Sequence, residues 1–174
     1  MTTIRKATIN DASLIATIGK RSFLESHGHS APAQDIDAYV SRKYTPSAIE
    51  QELADTRNIY HIVLHNGQLA GYSKIILNMP SQYINAANIA CLDRIYLLKD
   101  FYDLKLGAQL LQYNIALAKQ AEQIGMWLYT WTENTRAVRF YTKAGFEIVG
   151  SADFSISPTH ANPNHVMFLD LIDL

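Results

Sequence analysis

The stretch WTENTRAVRFYTKAGF, residues 131–146, decides how the rest of the chain is read. It closes an aromatic, β-prone run over residues 127–131, so a strand ends at Trp131. Asn134 has a side chain suited to capping a helix, residues 134–144 follow it as that helix, and Gly145 supplies the residue that stops it. Phe146 then opens a further extended run. Strand, capped helix, glycine stop and strand in direct succession belong to a mixed α/β chain.

Upstream, residues 89–98 form a long strand and residues 104–124 a helix that Gly125 is placed to end. Before them, residues 59–65 and 68–77 flank Asn66-Gly67, a two-residue hairpin turn. Thr45 followed by Pro46 starts a helix running to Asp55, because threonine caps and proline suits the first helical position. A shorter helix over residues 35–43 precedes it. At the amino end, residues 3–7 are extended, and Asn10 is placed to cap a helix over residues 11–25 with Leu14, Ile15, Ile18, Arg21 and Phe23 on one stripe. Residues 26–32 form a polar break holding His27 and His29. At the carboxyl end, residues 146–155 and 165–171 read as a closing hairpin with a long connection containing proline and asparagine. The predicted class is α/β (α+β), with a mixed, partly antiparallel sheet in one domain spanning residues 1–174 and no internal repeat or linker.

At 174 residues, 48% hydrophobic and 18% charged, the chain suits one hydrophobic core and neither disorder nor a coiled coil. The formal net charge of -1 offers no basic excess to neutralise nucleic-acid phosphates, so nucleic acid is not an expected partner and an anionic ligand must be held locally. Cys91 is the only cysteine, which removes intramolecular disulfides and multi-cysteine metal sites and fits a reducing compartment. No run approaches the roughly 18 apolar residues of a membrane span. Residues 1–5 are polar, unlike a signal peptide, so the expected location is cytoplasmic, without a membrane partner.

Chemistry concentrates in two places. Over residues 95–107 a strand ends and a helix begins, with Gly107 and Ala108 at its opening. Small residues there let backbone amides approach a diphosphate whose charge the helix dipole favours; a plain helix start is the alternative. The second place is the opening stretch. Its pattern Asn134-x-x-Ala137-x-x-Phe140-Tyr141-x-x-x-Gly145-Phe146 resembles the last motif of the GNAT superfamily of N-acetyltransferases. Ile4-Arg5-Lys6-Ala7 with Asp11 resembles the start of that family, and the order of elements is similar over nearly the whole chain. The tryptophans of residues 127–131 and the segment 44–53 look most like the bacterial polyamine N-acetyltransferase branch.

The resemblance implies a GNAT-like, largely antiparallel central sheet with a splayed fourth and fifth strand and helices on both faces. It also implies direct transfer of acetyl from acetyl-coenzyme A to a primary amine of a small acceptor, a polyamine in the nearest branch. Strand amides at Ile95, Tyr96 and Leu97 would hold the pantetheine arm as an added strand. The loop Tyr102, Asp103, Leu104, Lys105, Leu106 and Gly107, followed by Ala108, would wrap the diphosphate. In the family those six positions read Gln/Arg-x-x-Gly-x-Gly/Ala, so Tyr102 and Lys105 depart from it; Lys105 forgoes a glycine's freedom but brings a cation. Tyr141 matches the position that protonates the leaving thiolate, and a phenol of pKa about 10 suits a thiol near 8.5. A buried core aromatic is the alternative. Asn134 is implied to touch the coenzyme besides capping its helix. Lys143 and Arg139 could meet distal phosphates or be only solvated.

By strand periodicity, Asp93 shares a face with Cys91 and Ile95 and turns its carboxylate toward the splayed site as the base for an arriving amine; an ion pair with Arg94 or a neighbouring strand is the alternative. Cys91 has no histidine nearby in sequence to activate it and reads as a small buried hydrophobe. His27 and His29 read as solvated loop residues on the acceptor side, with no metal-ligand set around them, so no metal is expected. Glu25 is the candidate for recognising acceptor charge. The rivals are a non-catalytic coenzyme-A-binding or regulatory module, in which Tyr102 and Lys105 mark a decayed loop, and transfer to protein N-termini or lysines. A nucleotide-binding redox domain is disfavoured, since no Gly-x-Gly-x-x-Gly follows an early strand. The apolar run over residues 166–171 is expected to be exposed and to offer a strand for a homodimer.

Overall fold

In the computed structural model, which describes residues 1–172, seven strands form one sheet in the order β1-β2-β3-β4-β5-β7-β6. One half comprises β1 (Thr2–Lys6), β2 (Asn58–His65), β3 (Gln68–Ile76) and β4 (Ile89–Leu97), paired antiparallel. The other comprises β5 (Gly125–Trp131), β7 (His160–Asp170) and β6 (Glu147–Ser157), also antiparallel. The halves meet where β4 and β5 run parallel. The predicted hairpin is present, with Asn66 and Gly67 both at positive φ (49° and 78°), as a tight two-residue turn requires.

Among the described residues five α-helices cover the two faces. α1 (Ala12–His27) and α3 (Pro46–Ala54) bury Ile15, Ile18 and Ile49 against Tyr60, Ile62 and Tyr72, while α2 (Ala33–Lys43) joins them through Tyr39, Tyr44 and Phe23. α4 (Leu106–Gln120) and α5 (Thr135–Lys143) cover the opposite face, where Leu111, Ile115 and Tyr141 meet Ile75, Leu92 and Leu128. The signals at α3 act as read: Thr45 Oγ1 accepts from the Ala48 amide at 3.1 Å and Pro46 opens the helix. Leu106, Leu110 and Leu111 are all at most 1% exposed, and burial worth roughly 1.5–3 kcal/mol apiece fixes the amino end of α4 beside β4.

Four expectations are corrected. α4 ends at Gln120, and Glu122 at φ 56° makes the left-handed turn; Gly125 instead begins β5, where a Cβ would lie 2.3 Å from the Phe168 ring. The closing hairpin is longer than read, turning at Pro158 and Thr159, with Pro163 inside β7 opposite Asp153. Residues 166–171 are not an exposed edge: β7 lies between β5 and β6, so Val166, Met167 and Leu169 are buried and the free edge belongs to β6. Finally, β3 and β4 slip register between Lys74 and Ile75, which pair with Arg94 and Leu92 and leave Asp93 as an extra bulged residue. The bulge inverts the two-residue alternation. Cys91 lies with Trp127 and Val166, whereas Ile95 packs toward Leu106 and Leu110 of α4, so Asp93 and Ile95 do not share a face.

Candidate active site

β4 and β5 are paired only over Ile89, Ala90 and Cys91 against Gly125, Met126 and Trp127. Beyond that point β4 continues along β3 to Leu97 and β5 along β7 to Trp131. The facing edges therefore separate, and the outward main-chain groups of residues 92–97 have no partner strand among the described residues. A cleft of about 930 Å³ fills the gap, at the upper end of the roughly 300–1,000 Å³ of small-ligand sites. Asp93, Ile95, Tyr96, Leu97, Asp103, Lys105, Leu106, Gly107, Ala108, Asn134, Tyr141, Lys143 and His27 all line it. Glu25 does not. Its carboxylate accepts from Arg21 Nε at 2.9 Å and from the Lys99 amide at 2.8 Å, away from the cleft.

The loop before α4 keeps the backbone shape that its missing glycine would favour. Asp103 and Lys105 adopt left-handed φ of 67° and 58°, a conformation that costs a non-glycine residue about 1–2 kcal/mol. No side chain caps α4, and its first backbone bond runs from the Gln109 amide to the Lys105 carbonyl at 3.1 Å. The amides of Leu106, Gly107 and Ala108 precede that bond and have no intrahelical acceptor. Bare amides at a positive helix end, beside Lys105, are a fit for a diphosphate. Arg136, which sequence reasoning missed, adds to them: its guanidinium lies 3.5 Å from the centre of the Tyr102 ring and 3.9 Å from Asp103 Oδ1.

Tyr141 is set by the end of α5. The Phe146 amide donates to the Tyr141 carbonyl and the Gly145 amide to the Thr142 carbonyl, both at 3.0 Å, with Gly145 at φ 97°. This is a Schellman closure, which brings the residue after the glycine back onto the last turn. The Phe146 ring accordingly packs on Tyr141 at 5.6 Å. Burial pushes the Tyr141 phenol above its ordinary value, so it stays protonated, and its hydroxyl has no hydrogen-bond partner among the described residues. Asn134 caps the other end of α5 by accepting from the Ala137 amide at 3.1 Å.

On the α1–α3 side, Asp93 is clamped by cations. Its Oδ2 lies 3.0 Å from Lys74 Nζ and 3.5 Å from Arg94 Nε. Both cations are shared with Glu52 of α3, whose oxygens lie 2.7 Å from Lys74 and 3.0 Å from Arg94, and to which the Tyr60 hydroxyl also donates. Burial raises the Glu52 carboxyl, but the Arg94 charge and the bonds from Lys74 and Tyr60 outweigh it and hold the group at about 2. The ion pair and the cleft-facing position read as alternatives for Asp93 thus coexist. The available signal for Lys74 and Arg94 was a charge inside an otherwise apolar strand; Glu52 lies in a surface-like helical pattern.

His27 is not a solvated loop residue, because α1 extends two residues past the expected end and carries the imidazole among aromatic rings. Burial, and secondarily the charge of His29, lower it to about 4. The carboxyl end of a helix favours a charged imidazole by only about 0.3–1 kcal/mol, too little to reverse this. Cys91 is buried and its thiol is pushed up by burial, which suits the small-hydrophobe reading. Among the described residues no three His, Cys, Asp or Glu side chains gather as a metal-ligand set. No helix among them is long and apolar enough to cross a membrane.

Parallel strands that part to expose one edge, and lead into a helix with free amides, make a seat for an acyl thioester of coenzyme A; the chain is an acyltransferase of that architecture. Residues 22–146 match the family model described as Acetyltransferase (GNAT) family, and the chain belongs to that family. An uncharacterized N-acetyltransferase of Mycobacterium tuberculosis is 26% identical over 164 residues, covering 94% of this chain and 100% of the relative. An acetyltransferase of the GNAT family from Streptococcus pneumoniae superposes with a TM-score of 0.72 at 25% identity, over 98% of this chain and 99% of the other. The PaiA N-acetyltransferase of Thermoplasma acidophilum, solved in complex with coenzyme A, shares the fold with a TM-score of 0.78 at 19% identity, over 98% and 99%.

Proposed function

We propose that this acetyltransferase moves acetyl from acetyl-coenzyme A directly to a primary amine of a small acceptor. The observation that carries the reading is the parting of β4 from β5 after Cys91, which opens one cleft containing both Tyr141 and Asp93. Free main-chain groups of residues 92–97 suit hydrogen bonding to an extended pantetheine arm. The amides of Leu106, Gly107 and Ala108, with Lys105 and Arg136, suit the diphosphate, while Asn134 and Lys143 line the same cleft. The coenzyme, once bound, supplies an acetyl group activated as a thioester. Tyr141 holds a proton at its hydroxyl for the departing sulfur. Asp93, positioned by Lys74 and Arg94, attracts the acceptor's ammonium and orients its nitrogen.

The charges of the acceptor half narrow the acceptor. Asp93 is its carboxylate, and Lys43, Lys74 and Arg94 line the cleft with it, among the rings of Phe23, Tyr39, Tyr96 and Trp131. Several ammonium groups would meet more cations than carboxylates there, so an acceptor with one ammonium and an apolar body fits better than the polyamine the resemblance implies. Thiol release from acetyl-coenzyme A, followed over arylalkylamines, amino acids, spermidine and peptides, tests this. Release that depends on a monoamine supports it; spermidine as the best acceptor overturns the charge reading. Calorimetry with no heat on titrating acetyl-coenzyme A would remove the proposal altogether.

A further inference from the structure

His27 closes α1 with its ring stacked on Phe23 (centroids 5.0 Å apart, 15° between planes), tilted against Trp131 at 5.8 Å, and with Tyr96 edge-on at 6.0 Å. Its tautomer follows from Ser26. The Ser26 hydroxyl lies 2.7 Å from the Ser22 carbonyl oxygen, which can only accept, so its single hydrogen is directed there. The same hydroxyl oxygen lies 2.8 Å from His27 Nδ1 and must therefore accept from it. Nδ1 then carries the hydrogen and Nε2 an in-plane lone pair. Nε2 has no hydrogen-bond partner among the described residues, and the ring lines the acceptor half of the cleft.

We propose that Nε2 of His27 takes the proton which the acceptor amine sheds as its nitrogen bonds to the acetyl carbon, an inference that rests on the amine-acetylation reading above. The acceptor enters as its ammonium beside Asp93 and loses that proton to water before attack. As the N–C bond forms, an N–H bond breaks, its electron pair stays on nitrogen, and the proton settles on Nε2. The C–S bond breaks with its pair on sulfur, and the Tyr141 hydroxyl hydrogen moves to that sulfur. Water returns the proton from Nε2 to the Tyr141 oxygen, so both groups are restored.

Geometry favours His27 over Asp93 as the proton acceptor. Asp93 Oδ2 is already engaged by Lys74 Nζ at 3.0 Å and Arg94 Nε at 3.5 Å, whereas the imidazole has a free lone pair. Burial keeps the ring uncharged through neutral pH, with its transition at about 4, so the lone pair is available before attack and the captured proton passes readily on to water. The titratable groups around it are His29, which packs on the same Trp131 at 5.4 Å, and Tyr96; Phe23 and Trp131 carry no charge. Ser26 is a positioning residue, since it acts by holding the tautomer.

The experiment combines His27→Phe, which keeps the stack, with Ser26→Ala and nitrogen-15 NMR of the imidazole at pH 7. Expected are an Nδ1–H tautomer in the unaltered protein, a shift toward Nε2–H in Ser26→Ala, and a fall in kcat of about a hundredfold in His27→Phe with coenzyme A affinity unchanged by calorimetry. An Nε2–H tautomer in the unaltered protein, or kcat in a folded His27→Phe within about twofold of the parent, overturns the inference and leaves amine acetylation standing. No amine-dependent thiol release from the unaltered protein overturns both.

Discussion

Glu52→Gln strips the anion that faces Lys74 and Arg94, two cations whose side chains are only 8% and 9% exposed. The carboxyl is held at about 2 against an ordinary 4.5, a difference that corresponds to about 3 kcal/mol of stabilisation at neutral pH. Removing one member of a buried ion pair costs about 3–5 kcal/mol, which agrees. Because the carboxyl is depressed in the folded state, its contribution is present above its unfolded value and is lost as pH falls from about 4.5 toward 2. Urea unfolding of parent and variant should therefore differ by about 3 kcal/mol at pH 7, with a lowering of Tm by roughly 6–12 °C, and the two should converge on acidification. A difference below about 1 kcal/mol at pH 7, or one that does not narrow in acid, would refute the stabilisation assigned to the pairing of Glu52 with Lys74 and Arg94.

Tyr141→Phe should slow turnover more than about tenfold while coenzyme A affinity by calorimetry stays level, because in the proposed mechanism the hydroxyl acts only when sulfur departs. Lys105→Gly should raise stability by up to about 1 kcal/mol in urea unfolding, since relief of the left-handed strain exceeds the added freedom of the unfolded chain, yet weaken coenzyme A binding by loss of a cation. Arg136→Ala should weaken coenzyme A binding by about tenfold at low salt and by less at high salt, which titration at two ionic strengths reads directly.

Much of the architecture was legible because its signals are local. Asn66-Gly67, Thr45-Pro46 and Asn134 with Gly145 each dictate a backbone conformation through their own side chains, and each formed where it was read. The cleft-lining residues were found through a motif whose spacing is itself local to one loop and one helix. Glu25 was misplaced because position in sequence near the acceptor loop does not tell which side of α1 a residue occupies.

By itself, then, the sequence determined the caps at Thr45 and Asn134, the stop at Gly145, the Asn66-Gly67 hairpin and the segment that ends at Phe146, since these depend on residues a few positions apart. Only the tertiary structure decided the bulge at Asp93, the burial of β7, the stacking of Arg136 on Tyr102 and the linking of Glu52 to Lys74 and Arg94. These depend on which distant segments share a sheet edge or a face. Residues far apart in the chain meet there through the packing of the whole core, and no short-range signal encodes that meeting.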